Sequence, residues 1–315
     1  MKFWELSHEQ SRQYIDARQV FEAWRQAASQ TWNARNGRYT TWLSWEKGRN
    51  GREYLVRRKG HVKSSLGPRS IETETEYETY TRERDAVIAR QKETFAELRR
   101  MAPVNRALGL GRVPKLVAAI LRRLDEYGFL GEKVSVIGTH SLYCYEAMCA
   151  VQIHSSLLAT RDADFLYDSH VKLQLAVTKL GVPALIGILR EADKSFDAGP
   201  AYGYYAVNRA GFQVEFMSAG EDGDAVPSGL EGDTLNVNPY GGLAGLLVPP
   251  QAQAVAIDET GMPVRMVAPS IVAFAKHKEW LSQQQGRAPE QRPRDREQAK
   301  IVRALATTYL GLDVP

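Results

Sequence analysis

The feature that most constrains the fold of this chain is a short β-branched segment that stops at a glycine. Val134–Ile137 favours a strand, and Gly138 ends it with a turn. Residues 141–151 then have the apolar spacing of a helix, and residues 157–167 have the composition of a second strand. This order of strand, glycine turn, helix and strand predicts an α+β fold.

The region before this unit is mainly helical. Helical patterns cover the start of the chain, residues 73–101 and residues 113–127, and Pro103 is expected to end the second of these helices. Between the first two helices, residues 39–56 alternate around a glycine-containing turn, which predicts a β-hairpin. We therefore divide the chain into a helical N-terminal region with a hairpin at residues 1–130 and a core with C-terminal helices at residues 131–315.

Further strands and helices are predicted after the second strand of the core. The predicted strands cover residues 202–207 and 211–217, which form an antiparallel hairpin, and a strand pair covers residues 254–267. The predicted helices cover residues 171–180, 183–191, 270–284 and 295–310. Strands and helices thus alternate irregularly up to the C-terminus.

Charge is divided unevenly between the two regions. Residues 1–130 contain 25 Lys and Arg against 16 Asp and Glu, a balance of +9, whereas residues 131–315 have a balance of −5. An anionic partner is therefore expected to meet the first region, although solvated arginine-rich helices explain the same composition. The chain contains no apolar run near twenty residues and no secretory signal, so we expect a cytoplasmic protein without a membrane anchor.

Two acidic residues in the second core strand are the strongest chemical signal. Asp162 and Asp164 lie two residues apart, and side chains at that spacing point to the same side of a strand. Two neighbouring carboxylates repel each other and favour a bound cation. Carboxylate oxygens are the ligands that Mg²⁺ prefers, with water and phosphate oxygens completing its coordination.

A third carboxylate follows on a later strand. Glu215 lies between apolar residues in Phe212–Phe216, which indicates a strand with one buried face. Three carboxylates on neighbouring strands would allow two metal ions roughly 4 Å apart. The alternative is that Asp162 and Asp164 are surface residues of another α/β domain, in which case Glu215 would lie far from them.

These segments resemble a known superfamily. Val136-Ile137-Gly138-Thr139-His140-Ser141, followed by Thr160-Arg161-Asp162-Ala163-Asp164-Phe165, is similar to the signature of the polymerase-β nucleotidyltransferases. The region from about Gly131 onward, with Lys278, Asp295 and Gln298, resembles a bacterial family of that fold, of unknown substrate and related to abortive-infection and toxin nucleotidyltransferases. The resemblance implies a polymerase-β-type core, a short mixed sheet with flanking helices.

The resemblance also implies roles for individual residues. The expected nucleotide-binding residues are Gly138, Thr139, Ser141 and Lys278. The expected catalytic residues, which would also hold Mg²⁺ or Mn²⁺, are Asp162, Asp164 and Glu215. A nucleoside triphosphate is then the substrate. A solvated surface position is the alternative for Lys278, and Asp295 is interpreted as a cap of the last helix.

The hairpin of the N-terminal region combines basic and aromatic residues. Its basic residues are Arg49, Arg52, Arg57, Arg58, Lys59 and Lys63, and its aromatic residues include Trp42, Trp45 and Tyr54. Such a composition is typical of surfaces that follow phosphates and stack bases, so RNA, including a tRNA end, is a candidate acceptor. The alternative is that the aromatic side chains pack on neighbouring helices and the charges are solvated.

Two functions of different classes follow from the sequence. The first is a metal-dependent nucleotidyltransferase that moves a nucleoside monophosphate from a triphosphate to an RNA or protein hydroxyl. The second is a module that binds nucleotide or nucleic acid without turnover, such as a toxin–antitoxin or phage-defence component. Metal-dependent consumption of a triphosphate separates the two.

Overall fold

A computed structural model of the protein describes residues 2–35, 42–59, 62–168, 184–199, 203–220, 226–228, 230 and 232–314. The chain divides into two compact units, the first made of Met1–Ser11 and Asn105–Pro315 and the second of Arg12–Val104. The boundary predicted after Leu130 falls inside the first unit and stays a prediction. Among the described helices, none combines the length and apolar character needed to cross a membrane.

Helices and strands have the following bounds. The α-helices are α1 His8–Arg35, α2 Ile71–Ala107, α3 Lys115–Glu126, α4 Ser141–Cys149, α5 Leu185–Ala192, α6 Ile271–Gln283 and α7 Gln291–Leu310. The strands are β1 Phe3–Glu5, β2 Trp42–Lys47, β3 Glu53–Lys59, β4 Val62–Pro68, β5 Val134–Ile137, β6 Val151–Ile153, β7 Asp162–Tyr167, β8 Asp197–Ala198, β9 Tyr205–Val207, β10 Gln213–Ala219, β11 Val226–Pro227, β12 Asn236–Tyr240, β13 Ala252–Ile257 and β14 Pro263–Ala268. The predicted helix over residues 171–180 lies outside the described residues.

The first unit is built around a mixed sheet. Its strand order is β11-β12-β10-β7-β5, and β9 also pairs with β10 and β8 with β9. β7 runs parallel to β10 and antiparallel to β5, and β9 forms the predicted antiparallel pair with β10. The combination of this sheet with helices confirms the predicted α+β class.

The two faces of the sheet have different surroundings. On one face, Val136, Phe165 and Phe216 are buried in the main hydrophobic core. On the other face, Ile137 and Leu166 form a smaller cluster with leucines of the 3-10 turn Ala244–Leu247. Burial of about 25 cal/mol per Å² of apolar surface stabilises both faces. The second face is covered only in part, and its uncovered end carries the acidic residues.

The second unit contains the predicted hairpin, which has a third strand. β2 pairs antiparallel with β3, and β3 pairs antiparallel with β4. Trp45 packs its ring against Tyr77 of α2, with centroids 5.8 Å apart. The strands lie on the helix through such contacts, which contribute stability beyond area alone.

Several predicted boundaries are wrong. α2 continues through Pro103 to Ala107, and its last turn is held by Asn105, whose side chain donates to the carbonyl of Gly261 at 2.8 Å. This tertiary contact favours the helix although proline removes one backbone hydrogen bond. Residues 155–157 form a 3-10 turn, so the acidic strand begins only at Asp162.

Candidate active site

The three predicted acidic residues lie at one end of the sheet. In the parallel pair of β7 and β10, Glu215 aligns with Asp164, and Gln213 aligns with Asp162. Aligned residues on paired strands point to the same face, and so do residues two apart on one strand. The structure therefore brings Asp162, Asp164 and Glu215 to the same face, on adjacent strands. Hydrogen bonding within the sheet decides this proximity.

The predicted glycine turn touches the second aspartate. Gly138 has a φ of +64°, and Ile137 before it pairs with Asp164 across β5 and β7. A Cβ atom at position 138 would lie 2.6 Å from the Oδ2 atom of Asp164. Glycine is needed here both for the left-handed backbone and for the close approach of the carboxylate.

The surroundings of Asp164 disfavour its negative charge, through burial first and like charges second. Burial, together with the negative charges of Asp162 and Glu215, raises the pKa of Asp164 to about 7. The positive charges of Lys278 and Arg287 oppose that rise. A carboxylate whose charge is disfavoured by burial and by like charges gains when a cation enters. Displaced carboxylate pKa values of this kind occur at functional sites.

Glu215 has a partner that the sequence did not indicate. The side-chain amide of Asn238, on β12, donates a hydrogen bond of 2.7 Å to Oε1 of Glu215. The pKa of Glu215 is raised because the residue is buried, and the hydrogen bond from Asn238 offsets part of that rise. The alternation of polar and apolar residues in Asn236–Tyr240 is a strand signal that could have placed Asn238 beside the site.

The oxygen atoms of the acidic residues are of the kind that binds magnesium, but the three residues do not form a complete ligand set by themselves. Within the described residues, no group of three or more His, Cys, Asp or Glu side chains converges into a complete ligand set. Thr160 donates a hydrogen bond to Asp162, and Asn238 holds one oxygen of Glu215. Mg²⁺ in phosphate-binding sites commonly takes one or two carboxylates and fills its remaining positions with phosphate and water. Asp162, Asp164 and Glu215 could hold such an ion together with a polyphosphate.

The two hydroxyl residues of the glycine turn face different surroundings. Thr139 is half-buried, and its Oγ1 accepts hydrogen bonds from Arg294 at 3.1 Å and from Gln298 at 3.4 Å, both on α7. Ser141 is fully buried, and its hydroxyl donates to the backbone carbonyl of Val136 at 2.9 Å. Thr139 therefore borders the site, whereas the hydroxyl of Ser141 holds the connection between β5 and α4.

The predicted lysine belongs to a buried charge cluster. Lys278 is only 5% exposed, and its Nζ lies 2.7 Å from Oδ1 of Asp295. Arg287 places its Nε 2.7 Å from Oδ2 of the same aspartate. The interpretation of Asp295 as a helix cap is wrong, because α7 begins at Gln291 and Asp295 lies in its second turn. The alternative of a solvated Lys278 is also wrong, because the amphipathic packing of α6 and α7 buries it.

Arg287 was missed in the sequence. It lies between α6 and α7, in a polar segment with no periodic pattern. Its proximity to Asp295 depends on how the two helices pack, and no spacing of residues reveals that. The one available signal was a cluster of arginines just before the predicted last helix.

The basic residues of the hairpin have acidic neighbours within the second unit. Arg58 and Lys63 both pair with Glu46 at 2.6 Å, and Arg57 pairs with Glu76 at 3.2 Å. Exposed pairs of this kind contribute little to stability. They nevertheless offset part of the positive charge on which the predicted RNA contact depends.

Comparison with known proteins identifies a family for most of the first unit. A family model described as a nucleotidyltransferase matches residues 115–314. No curated protein matches the chain, and no solved structure matches it. The matched range includes the glycine turn, the three acidic residues and the charge cluster around Asp295.

Proposed function

Because the chain belongs to the nucleotidyltransferase family matched over residues 115–314, we propose that it is a metal-dependent enzyme that transfers a nucleoside monophosphate from a triphosphate. The observation that carries the proposal is the alignment of Glu215 with Asp164 on paired strands, beside the turn at Gly138. That arrangement joins the acidic residues to a backbone turn at which a side chain would collide with the carboxylate of Asp164.

We further propose that the core is of the polymerase-β type. The order of β5, the Gly138 turn, α4 and the acidic strand β7 supports this assignment, as does the single acidic residue on the neighbouring strand β10. By the same likeness, the protein would be a bacterial relative of toxin and abortive-infection nucleotidyltransferases. The fold by itself gives no substrate.

The proposed reaction is an in-line displacement at the α-phosphate. The oxygen of an acceptor hydroxyl forms a bond to the α-phosphorus, the bond to the bridging oxygen of the β-phosphate breaks, and pyrophosphate leaves with that electron pair. A carboxylate oxygen of Asp162, Asp164 or Glu215 accepts the hydroxyl proton. Mg²⁺ or Mn²⁺ held by Asp162, Asp164 and Glu215 would neutralise phosphate charge when bound.

Thr139 is suited to donate to a phosphate oxygen. A hydroxyl group has one donor and two acceptor positions, and Arg294 and Gln298 both donate to the oxygen of Thr139. The hydroxyl hydrogen is therefore directed away from these two groups and is available for an anion. Stabilisation of this kind costs no reorganisation during the reaction.

We propose RNA, including tRNA, or a protein hydroxyl as the acceptor. The balance of +9 over residues 1–130 supports an anionic partner for that region. The ion pairs of the hairpin offset part of this charge. Residues 42–69 nevertheless contain 8 Lys and Arg against 2 Asp and Glu, whereas α1, α2 and α3 together contain 14 Lys and Arg against 13 Asp and Glu, so the hairpin is the main basic surface of the region.

The test is label transfer from each α-labelled nucleoside triphosphate, with Mg²⁺ or Mn²⁺ and total cellular RNA or protein. The variant Asp162→Ala/Asp164→Ala removes two proposed ligands, and Glu132→Ala/Glu290→Ala removes two exposed acidic residues as the matched control. We expect transfer by the wild type and the control, and none by the first variant. If the wild type neither transfers label nor binds a triphosphate in a metal-dependent manner, the binding-module alternative replaces the enzyme. Binding of a triphosphate without transfer means that the right acceptor was missing from the mixture.

A further inference from the structure

Two cations share one buried acidic residue beside the proposed catalytic carboxylates. Lys278 of α6 and Arg287 of the following segment both contact Asp295 of α7, and Arg287 adds a second contact of 3.3 Å to Oδ1. Asp295 is 2% exposed and Lys278 is 5% exposed. The cluster therefore holds one net positive charge, and its Lys278–Asp295 pair has little access to water.

Such an excess is costly unless an anion lies near it. Removal of a charged group from water costs roughly several kcal/mol of free energy, and this cost falls when an opposite charge is close. Asp295 offsets only one of the two cations. The carboxylates of the active site offset part of the remainder, since Lys278 and Arg287 both lower the pKa of Asp164.

The helix that carries Asp295 also contacts the glycine turn. Arg294 precedes Asp295 on α7, and it donates to the hydroxyl of Thr139 at 3.1 Å. Gly138, next to Thr139, contacts the carboxylate of Asp164. Asp295 is thus one residue from a direct contact with the turn, and the cluster lies beside the carboxylates at the same end of the sheet.

Arg287 is the member of the cluster that a ligand can reach. Its side chain is 32% exposed, whereas that of Lys278 is 6% exposed. Two contacts to Asp295 engage its Nε and one terminal nitrogen, and a guanidinium group has five N–H donors. The remaining donors suit the planar, bidentate recognition of a phosphate group.

The segment that carries Arg287 is held in place. Arg292 donates from Nε to the carbonyl of Arg287 at 3.0 Å and from a terminal nitrogen to the carbonyl of Gln285 at 2.7 Å. The backbone amide of Arg287 donates to the carbonyl of Gln284 at 3.2 Å. A guanidinium fixed at both its backbone and its side chain loses little freedom when it binds a ligand.

We propose that Arg287, oriented by Asp295, is a phosphate-binding residue that contacts the β- and γ-phosphates of the triphosphate, while the buried Lys278 holds Asp295 in place. This inference rests on the proposed function and adds to it the residue that binds the leaving group. When the bond between the α-phosphorus and the bridging oxygen breaks, negative charge grows on the pyrophosphate, and Arg287 stabilises it without transfer of a proton.

The test is isothermal titration calorimetry of the full chain with inorganic pyrophosphate and with a non-hydrolysable triphosphate, both in the presence of Mn²⁺. Arg287→Gln removes the charge but keeps a donor for Asp295, and Arg287→Lys keeps the charge. Arg296→Gln removes an exposed arginine from α7 as the matched control. Mn²⁺ binding alone, followed by electron paramagnetic resonance, reports on the carboxylates independently.

We expect Arg287→Gln to lower the affinity for both ligands on the order of ten- to a hundredfold, as for the loss of a charge-assisted hydrogen bond. Arg287→Lys is expected to retain most of the affinity for both ligands, and Arg296→Gln all of it. None of the three variants is expected to lose affinity for Mn²⁺ alone, because none removes a carboxylate. If Arg287→Gln binds both ligands as tightly as the wild type does, this inference is overturned and the proposed function stands. A wild type that binds neither Mn²⁺ nor triphosphate overturns both.

A second measurement covers the case in which Arg287→Gln does not fold. Phenylglyoxal modifies accessible arginines, and mass spectrometry of the wild-type protein follows the modification of Arg287 and Arg296 separately. We expect pyrophosphate with Mn²⁺ to slow the modification of Arg287 and not that of Arg296. Modification of Arg287 at the same rate with and without saturating pyrophosphate would also overturn the inference.

Discussion

The backbone of Gly138 lies so close to the carboxylate of Asp164 that a Cβ atom on residue 138 would be 2.6 Å from Oδ2. The two residues belong to segments that pair as antiparallel strands. Their proximity places the turn after β5 and the acidic strand β7 at one site. A turn with any other residue would displace the carboxylate from its position near Asp162 and Glu215.

Gly138→Ala is expected to damage the site more than the fold. A left-handed backbone costs an alanine roughly 1–2 kcal/mol, and the contact with Asp164 adds to this cost. Gly128→Ala is the matched control, because Gly128 has a φ of +74° and, apart from its two chain neighbours, no residue has an atom within 4 Å of the position that a Cβ atom would take. Chemical denaturation and Mn²⁺ titration of both variants separate backbone strain from contact. Equal losses of stability and equal Mn²⁺ affinities would contradict the proposed contact.

Asp164→Asn is expected to stabilise the metal-free protein above neutral pH. The pKa of Asp164 is near 4 in the unfolded chain and is raised to about 7 in the folded protein. The wild type therefore loses stability as the pH rises between these two pKa values. The asparagine of the variant does not titrate. The variant should therefore exceed the wild type in free energy of unfolding by the largest amount at pH 8, on the order of 1–3 kcal/mol, and this difference should disappear near pH 4. Urea unfolding at several pH values measures it.

Added Mn²⁺ provides the control for this prediction. An ion bound at the carboxylates stabilises the wild type by mass action, so the advantage of Asp164→Asn at pH 8 should shrink or reverse. An advantage that is independent of both pH and Mn²⁺ would show that repulsion at Asp164 is not its cause.

Asp295→Asn is expected to destabilise the protein strongly. Removal of the shared partner leaves Lys278 buried without a counter-charge, and breaking a buried ion pair typically costs about 3–5 kcal/mol. Glu297→Gln, on the same helix, removes exposed pairs with Lys2 and Lys300 and should leave the thermal midpoint unchanged. A thermal midpoint of Asp295→Asn close to that of the wild type would show that the cluster is not electrostatically coupled.

Thr139→Val is expected to affect triphosphate binding, whereas Ser141→Ala is expected to affect stability. Loss of the Thr139 hydroxyl should weaken triphosphate binding about five- to tenfold with little change in stability, and Thr139→Ser should retain the affinity. Loss of the buried Ser141 hydroxyl should lower stability by roughly 1 kcal/mol, because it leaves the carbonyl of Val136 without this donor, and should leave binding intact. Calorimetric titration and thermal denaturation check both pairs. The reverse pattern would assign the phosphate contact to Ser141.

Local patterns in the sequence were sufficient for the elements that position the acidic residues. The β-branched run Val134–Ile137 forms a strand, and the glycine after it makes the predicted turn, with a left-handed backbone. The hairpin and the antiparallel pair of β9 and β10 were likewise predicted, because alternation and turn residues are properties of neighbouring residues. Pro103 was misleading, since a distant contact of Asn105 keeps α2 intact beyond it.

The sequence by itself determined the α+β class, the glycine turn and the candidate acidic residues Asp162, Asp164 and Glu215, because each depends on residue type and on spacing within one segment. Only the tertiary structure decided which side chains meet. The parallel register of β7 with β10 aligns Glu215 with Asp164, and the packing of α6 on α7 brings Lys278 and Arg287 to Asp295. Contacts between residues far apart in the chain follow from the burial of whole elements against one another, which no local pattern encodes.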